Sequence, residues 1–187
     1  MGKIATRNLV LTGMFAALIA VGAFIKIPIP YVPVTLQTLF VMLAGALLGR
    51  KFGALSAIIY VVLGLVGLPI FTQGGGFSYV FQPTFGYLIG FIFGAYVTGL
   101  IANGVENPSF WRIFLANLAG IAVVYVMGMA YFYIISNYVI NSPVDLKFVM
   151  IYCFATTIVG DIVLCVLSAI VCRRLIPILG KSNKCDK

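Results

Sequence analysis

The apolar runs constrain this chain more than anything else in it. Six of them stand at residues 8–25, 36–49, 52–69, 85–103, 111–136 and 148–176, separated by glycines, prolines and most of the charges. A helix that crosses a bilayer needs roughly 20 mostly apolar residues, and runs of this length leave little else for a fold to be. Twelve basic and four acidic residues could not coat a water-soluble core of this size. Soluble domains carry about 25% charged residues, against 9% here. The sequence therefore predicts an all-α integral membrane protein, a single membrane domain over residues 1–187.

The first run follows Lys3 and Arg7 but lacks a clean cleavage site before a soluble domain, and further runs follow it. It reads as a first transmembrane helix, not a signal peptide. The last run is too long for one straight span. Gly160–Asp161 interrupts it, which predicts a short helix at about 147–158, a break at Gly160 and a sixth span from about 161.

Six spans would put both termini on one side. Ten basic residues (Lys3, Arg7, Arg50, Lys51, Arg112, Arg173, Arg174, Lys181, Lys184 and Lys187) then share that side, and only Lys26 and Lys147 lie opposite. Excess Lys and Arg marks the cytoplasmic face, so both termini are expected in the cytoplasm. The net charge of +8 is spread over helix ends with no basic stripe, which argues against nucleic acid as a partner. With no histidine and no CxxC pair, neither a structural zinc site nor another metal centre is expected. No GxxxxGK[ST] sequence is present for nucleotide phosphates, and no acid–base pair suggests an enzyme.

The segments on the less basic side, 26–35, 70–84 and 137–147, are unusual loops. Pro28, Pro30 and Pro33 stiffen the first into an extended path. The second carries Phe71, then Gly74, Gly75 and Gly76, then Phe77, Tyr79 and Phe81. Two readings remain open for these rings, a lid over a cavity and an aromatic belt at the membrane interface.

Asp161 is a carboxylate inside an apolar run, so it must face protein, a cavity or a partner. It is a candidate ligand contact; the alternative is an N-cap for the last helix. Gln37, which both donates and accepts, is a second candidate, and Thr35 a cap for the helix it opens. Gln82, Thr84 and Tyr87 enter the fourth helix from the same level, with Thr84 placed as a cap. Asn117, mid-helix, is either a tie between helices or a pocket residue. Tyr125, Tyr131 and Tyr133 read as packing or interface rings. Ala16 and Ala20, beside Gly13 and Ala17, form a small-xxx-small face that lets another helix approach closely.

Several ordered motifs, Pro33-Val34-Thr35-Leu36-Gln37-Thr38-Leu39, Leu43-Ala44-Gly45-Ala46-Leu47-Leu48-Gly49, Gly64-Leu65-Val66-Gly67-Leu68-Pro69-Ile70-Phe71, Pro83-Thr84-Phe85-Gly86-Tyr87 and Gly160-Asp161, resemble the BioY family of biotin transporters over residues 8–176. The resemblance implies a substrate-binding S component of an energy-coupling-factor (ECF) transporter in a prokaryotic cell membrane. It implies biotin as transported ligand with no cofactor. The implied partners are a transmembrane coupling protein, which the Ala16–Ala20 face would meet, and two cytoplasmic ATPases. It also makes Asp161 the residue that contacts biotin and sets Gly75 where some members use an asparagine; Phe71 and Tyr79 are further binding candidates from the aromatic loop itself. Where the family commonly has proline, lysine, asparagine and glycine, this chain has Val159, Leu164, Gly75 and Gln82. The alternatives are the same fold carrying another vitamin or a biotin precursor, and a self-sufficient carrier acting as a homo-oligomer. A structural membrane subunit is the alternative from a different class.

Overall fold

A computed structural model describes residues 3–29, 31–105 and 108–184, with side chains over 6–176 of these. Pro30, Cys185 and Lys187 lie outside the described residues, as do the side chains of Lys3, Lys181 and Lys184. The elements run in the order α1 (Lys3–Phe24), a two-residue hairpin of β1 (Lys26–Ile27) and β2 (Val34–Thr35), α2 (Gln37–Leu65), a 3-10 turn (Phe77–Phe81), α3 (Phe85–Ala102), α4 (Phe110–Tyr138), α5 (Leu146–Val149), a π-helical turn (Met150–Ala155) and α6 (Ile158–Lys184). The apolar runs form helices because lipid supplies no partners for backbone polar groups, and a helix satisfies its own. Polar side chains within the runs do the same locally. The Thr12 hydroxyl donates to the Asn8 carbonyl at 2.7 Å and the Ser56 hydroxyl to that of Phe52 at 3.0 Å.

The expected count of six transmembrane helices is corrected. Among the described residues five helical stretches are long and apolar enough to cross a membrane: Thr6–Phe24, Gln37–Leu65, Phe85–Ala102, Phe110–Tyr138 and Leu146–Ile176. The runs read as separate spans at 36–49 and 52–69 belong to one element, α2, which breaks sharply at Gly49 (φ 84°, ψ 172°). That backbone is one an L side chain rarely adopts, so glycine is needed there. The chain turns back at this point, bringing Gly53 against Gly45 and Gln37 beside Tyr60. Neither arm alone has the roughly 20 residues of a perpendicular crossing. The placement of both termini in the cytoplasm rested on the even count and goes with it.

The break expected at Gly160 lies elsewhere. Helix α6 begins at Ile158 and Gly160 sits inside it; the irregularity is the π-helical turn and the turn at Thr156–Thr157 before it. Gly160 faces Val34, whose Cγ1 would stand 3.0 Å from an added Cβ. The glycine admits the hairpin to the helix and does not interrupt the helix.

The half of the bundle around the α2 break is packed backbone to backbone. A Cβ on Gly45 would overlap the Ala95 carbonyl of α3, one on Gly99 the backbone of Arg50, and one on Gly53 the backbone of Gly45. Asn103, at the end of α3, donates to the Ala46 and Gly99 carbonyls at 3.1 and 3.2 Å, and Arg112 Nε to the Ile101 carbonyl at 2.9 Å. Helix ends that would otherwise leave free carbonyls are closed in this way. At the other end the helices part around a cavity.

Candidate functional site: a cavity beneath the hairpin and the aromatic loop

Residues from every long element except α1 line this cavity, together with the hairpin and the loop between α2 and α3. The hairpin is held by antiparallel pairing of Lys26 with Thr35 and Ile27 with Val34. It contributes Val32, Pro33, Val34 and Thr35 to the wall. Tyr31 anchors its tip against the paired rings of Phe148 and Tyr152, with centroids at 4.9 and 5.2 Å.

The aromatic loop divides its rings between two roles. Phe71 is buried between Tyr60 and Tyr79 and lies over Gly64, where any side chain would occupy the place of its ring. Tyr79 is also buried and lines the cavity, whereas Phe77 and Phe81 are exposed, as belt residues are. The glycines here shape the turn in two ways: Gly74 and Gly76 take positive φ (113° and 103°), and Gly75 gives close approach. The Gly76 amide donates to the Gly64 carbonyl at 2.7 Å, and a Cβ on Gly75 would collide with the Leu68 carbonyl.

Asp161 stands in the first turn of α6, 8% exposed and in the cavity wall. Its amide already donates to the Thr157 carbonyl at 3.1 Å, so it lies within the helix and does not cap it. Tyr125 of α4 donates its hydroxyl to Asp161 Oδ2 and lies 2.9 Å from Thr157 Oγ1. Thr38 of α2 is a further side-chain partner. No lysine or arginine lines the cavity among the described residues. A buried carboxylate is therefore held by neutral hydroxyls alone, and with about four acceptor positions it keeps capacity for further N–H donors.

Two other wall residues have their polar atoms committed. Tyr87 donates to the Cys153 carbonyl at 3.2 Å, a group in the π-helical turn that also accepts from Thr157 Oγ1 at 3.1 Å, and its ring lies against Gly128. Gln37 is a middle member of a directional chain. Thr35 Oγ1 donates to Gln37 Oε1 (3.3 Å), Gln37 Nε2 to the Tyr60 hydroxyl (2.7 Å), and that hydroxyl to the Ile70 carbonyl (3.2 Å). The cavity wall is thereby bonded to the loop above it.

Of the candidate residues, the cavity brings together Asp161, Gln37, Thr84, Tyr87 and Tyr79. Thr84 does not cap α3: its backbone is already helical (φ −77°, ψ −9°), and its buried hydroxyl has no partner. Thr35 makes no cap either, because Leu36 holds that position. Phe71 packs behind the wall, Gly75 supports the loop, and Gln82 is exposed outside the cavity. Asn117 ties α4 to α6 through the Cys165 carbonyl at 3.1 Å, with its Oδ1 unpartnered and away from the lining. Ala16 is buried in the bundle and Ala20 partly so, whereas Gly13 and Ala17, on the adjoining strip of α1, are exposed. Tyr125, read from sequence as a packing or interface ring, instead stands in the cavity wall with its hydroxyl on Asp161; Thr157 was not singled out, and only its place beside Tyr125 marks it.

An apolar bundle that surrounds a cavity with few polar points has the form of a small-molecule site. In a multi-pass membrane protein this defines a substrate-binding protein of the transport class. The BioY family matches residues 1–181, and the chain belongs to that family. It is 48% identical over 170 residues to a probable biotin transporter BioY of Lysinibacillus sphaericus, covering 91% of this chain and 87% of that one. To the biotin transporter BioY of Thermotoga maritima it is 40% identical over 172 residues, covering 90% and 95%. A crystal structure of the S-component for biotin from an ECF-type ABC transporter superposes with a TM-score of 0.80 at 28% identity, covering 94% of each chain. Members of this family are transport proteins and not enzymes.

Proposed function

We propose that this protein binds biotin in the cavity and carries it across a prokaryotic cell membrane as the substrate-binding S component of an ECF transporter. The observation that carries the reading is the Asp161 carboxylate, buried in the wall and bonded by Tyr125 without a cation. Biotin's ureido ring offers two N–H donors to such a group, and charge-assisted hydrogen bonds are about twice as strong as neutral ones. The thiophane ring and aliphatic chain suit the remaining wall of Val34, Leu88, Phe91, Ile121 and Val124. Thr84, with a buried hydroxyl lacking a partner, is a second contact, since an unsatisfied buried group gains most from a ligand that pairs it. Gln37, Tyr87 and Tyr79 shape the wall and hold the loop above it.

A membrane coupling protein and two cytoplasmic ATPases supply the energy. On α1 the exposed Gly13 and Ala17 give a partner helix close access, and Ala20 lies at the edge of that face. The test is uptake of labelled biotin in a host deficient in its own carrier, with and without the coupling protein and ATPases. Uptake only with both present supports the S-component role; equal uptake without them identifies a self-sufficient carrier. Absence of uptake in both, together with no biotin retained by the purified protein, rejects the reading.

A further inference from the structure

Among the described residues the cavity wall contains one acid and no base, which leaves half of its proposed ligand unaccounted for. Biotin carries N–H donors at one end and a carboxylate at the other. If the donors meet Asp161, the carboxylate must lie away from it and needs its own partner, because two carboxylates sharing a poorly solvated site repel. A cation stands next to the cavity without belonging to its wall. Lys26, in β1, is exposed, and its Cα pairs with that of Thr35, a wall residue. Its ammonium donates to the carbonyl of Thr72, a second wall residue, at 2.8 Å. Thr72 is in turn fixed by its hydroxyl, 3.0 Å from that of Tyr79. Lys26 is thus held against the cavity rim by two segments, the hairpin and the aromatic loop. Among the described residues no acid pairs with it, and an ammonium has three donors, of which one is engaged.

We propose that Lys26 is the anion-recognising end of the binding site, taking the carboxylate of a ligand whose N–H-bearing head lies against Asp161. The geometry gives the site polarity: an acceptor within the bundle, a donor cation at the rim, and apolar walls between. It makes the site selective for anions over neutral analogues of the same ring system. This rests on the reading of Asp161 as the head-group acceptor.

The test measures binding of biotin and of its neutral primary amide to the purified protein, to Lys26→Met, to Lys26→Arg and to Asp161→Asn. Wild type is expected to prefer biotin over the amide about tenfold, the range of a charge-assisted hydrogen bond. Lys26→Met should lose that preference by weakening biotin while leaving the amide unchanged, and Lys26→Arg should keep it. Asp161→Asn should weaken both ligands alike. Lys26→Met that weakens both equally reduces Lys26 to a support for the loop and overturns the proposal, as does unchanged biotin affinity. A wild type that binds both ligands equally also overturns it. If the amide does not bind wild type measurably, the biotin affinity of Lys26→Met alone decides. Unchanged binding of both ligands to Asp161→Asn rejects the head-group reading separately.

Discussion

The two ends of the bundle differ in what their interhelical contacts are for. Around the break in α2, glycines remove side chains so that backbones touch: Gly45 on Ala95, Gly99 on Arg50, Gly53 on Gly45. Around Asp161 glycines still seat wall residues, Gly90 against the Val124 backbone and Gly22 against that of Gln37, but side-chain hydrogen bonds join the elements around the cavity: Tyr125 to Asp161, Tyr87 to Cys153, and Gln37 to Tyr60 and on to Ile70. In lipid, association of helices rests on van der Waals packing and interhelical hydrogen bonds, since the apolar surroundings give no hydrophobic drive. One end rests mainly on the first, with an open hollow at its surface lined by Gly49, Arg50, Gly99 and Asn103. The other adds the second, and hydrogen bonds hold the polar side chains of its cavity wall in place.

Breaking the packed end should cost most. Gly45→Leu drives a side chain into the Ala95 carbonyl; backbone has no rotamer to yield, so the change exceeds the about 1–3 kcal/mol of ordinary overpacking. Loss of monodisperse protein in detergent is the expected outcome, and a folded protein with normal melting would show that the glycine contact is dispensable. A change at the cavity end should spare the fold and reach the ligand. Tyr125→Phe removes the donor to Asp161 Oδ2 while keeping the ring against Phe154 at 5.1 Å. A loss of about tenfold in biotin affinity with little change in melting is expected by calorimetry; a melting loss as large as that of Gly45→Leu would erase the distinction between the two ends. The smallest effect belongs to Tyr60→Phe, which cuts the chain between Gln37 and the Ile70 carbonyl. Association and dissociation of biotin should both quicken, with a change of only about threefold in affinity. Unchanged rates would remove the chain from any role in holding the loop.

The apolar runs made the membrane class legible, since a bilayer admits few alternatives to a helix. They did not reveal that 36–49 and 52–69 form one element broken at Gly49, because hydropathy registers the breaker and not how the chain continues past it. Gly160 misled for a related reason. A glycine between apolar residues reads as an interruption, but here it makes room for Val34, and the irregularity that shapes the site is the π-helical turn before it. Asp161 was legible as a charge out of place; Tyr125 was not, because its meaning depends on a contact 36 residues distant. The alanine face of α1 showed the same limit. Spacing places Ala16 and Ala20 on one side of the helix, but only packing tells that Ala16 faces the bundle and Gly13 and Ala17 face out.

The central claim is that the buried carboxylate of Asp161 holds the ligand's head, and calorimetric titration of biotin into wild type and Asp161→Asn tests it most directly. Asparagine keeps the size and one acceptor but gives up the charge and part of the accepting capacity. Biotin binding weakened at least about tenfold, in a variant that melts within a few degrees of wild type, is the expected result. Equal affinity in the two proteins would contradict it.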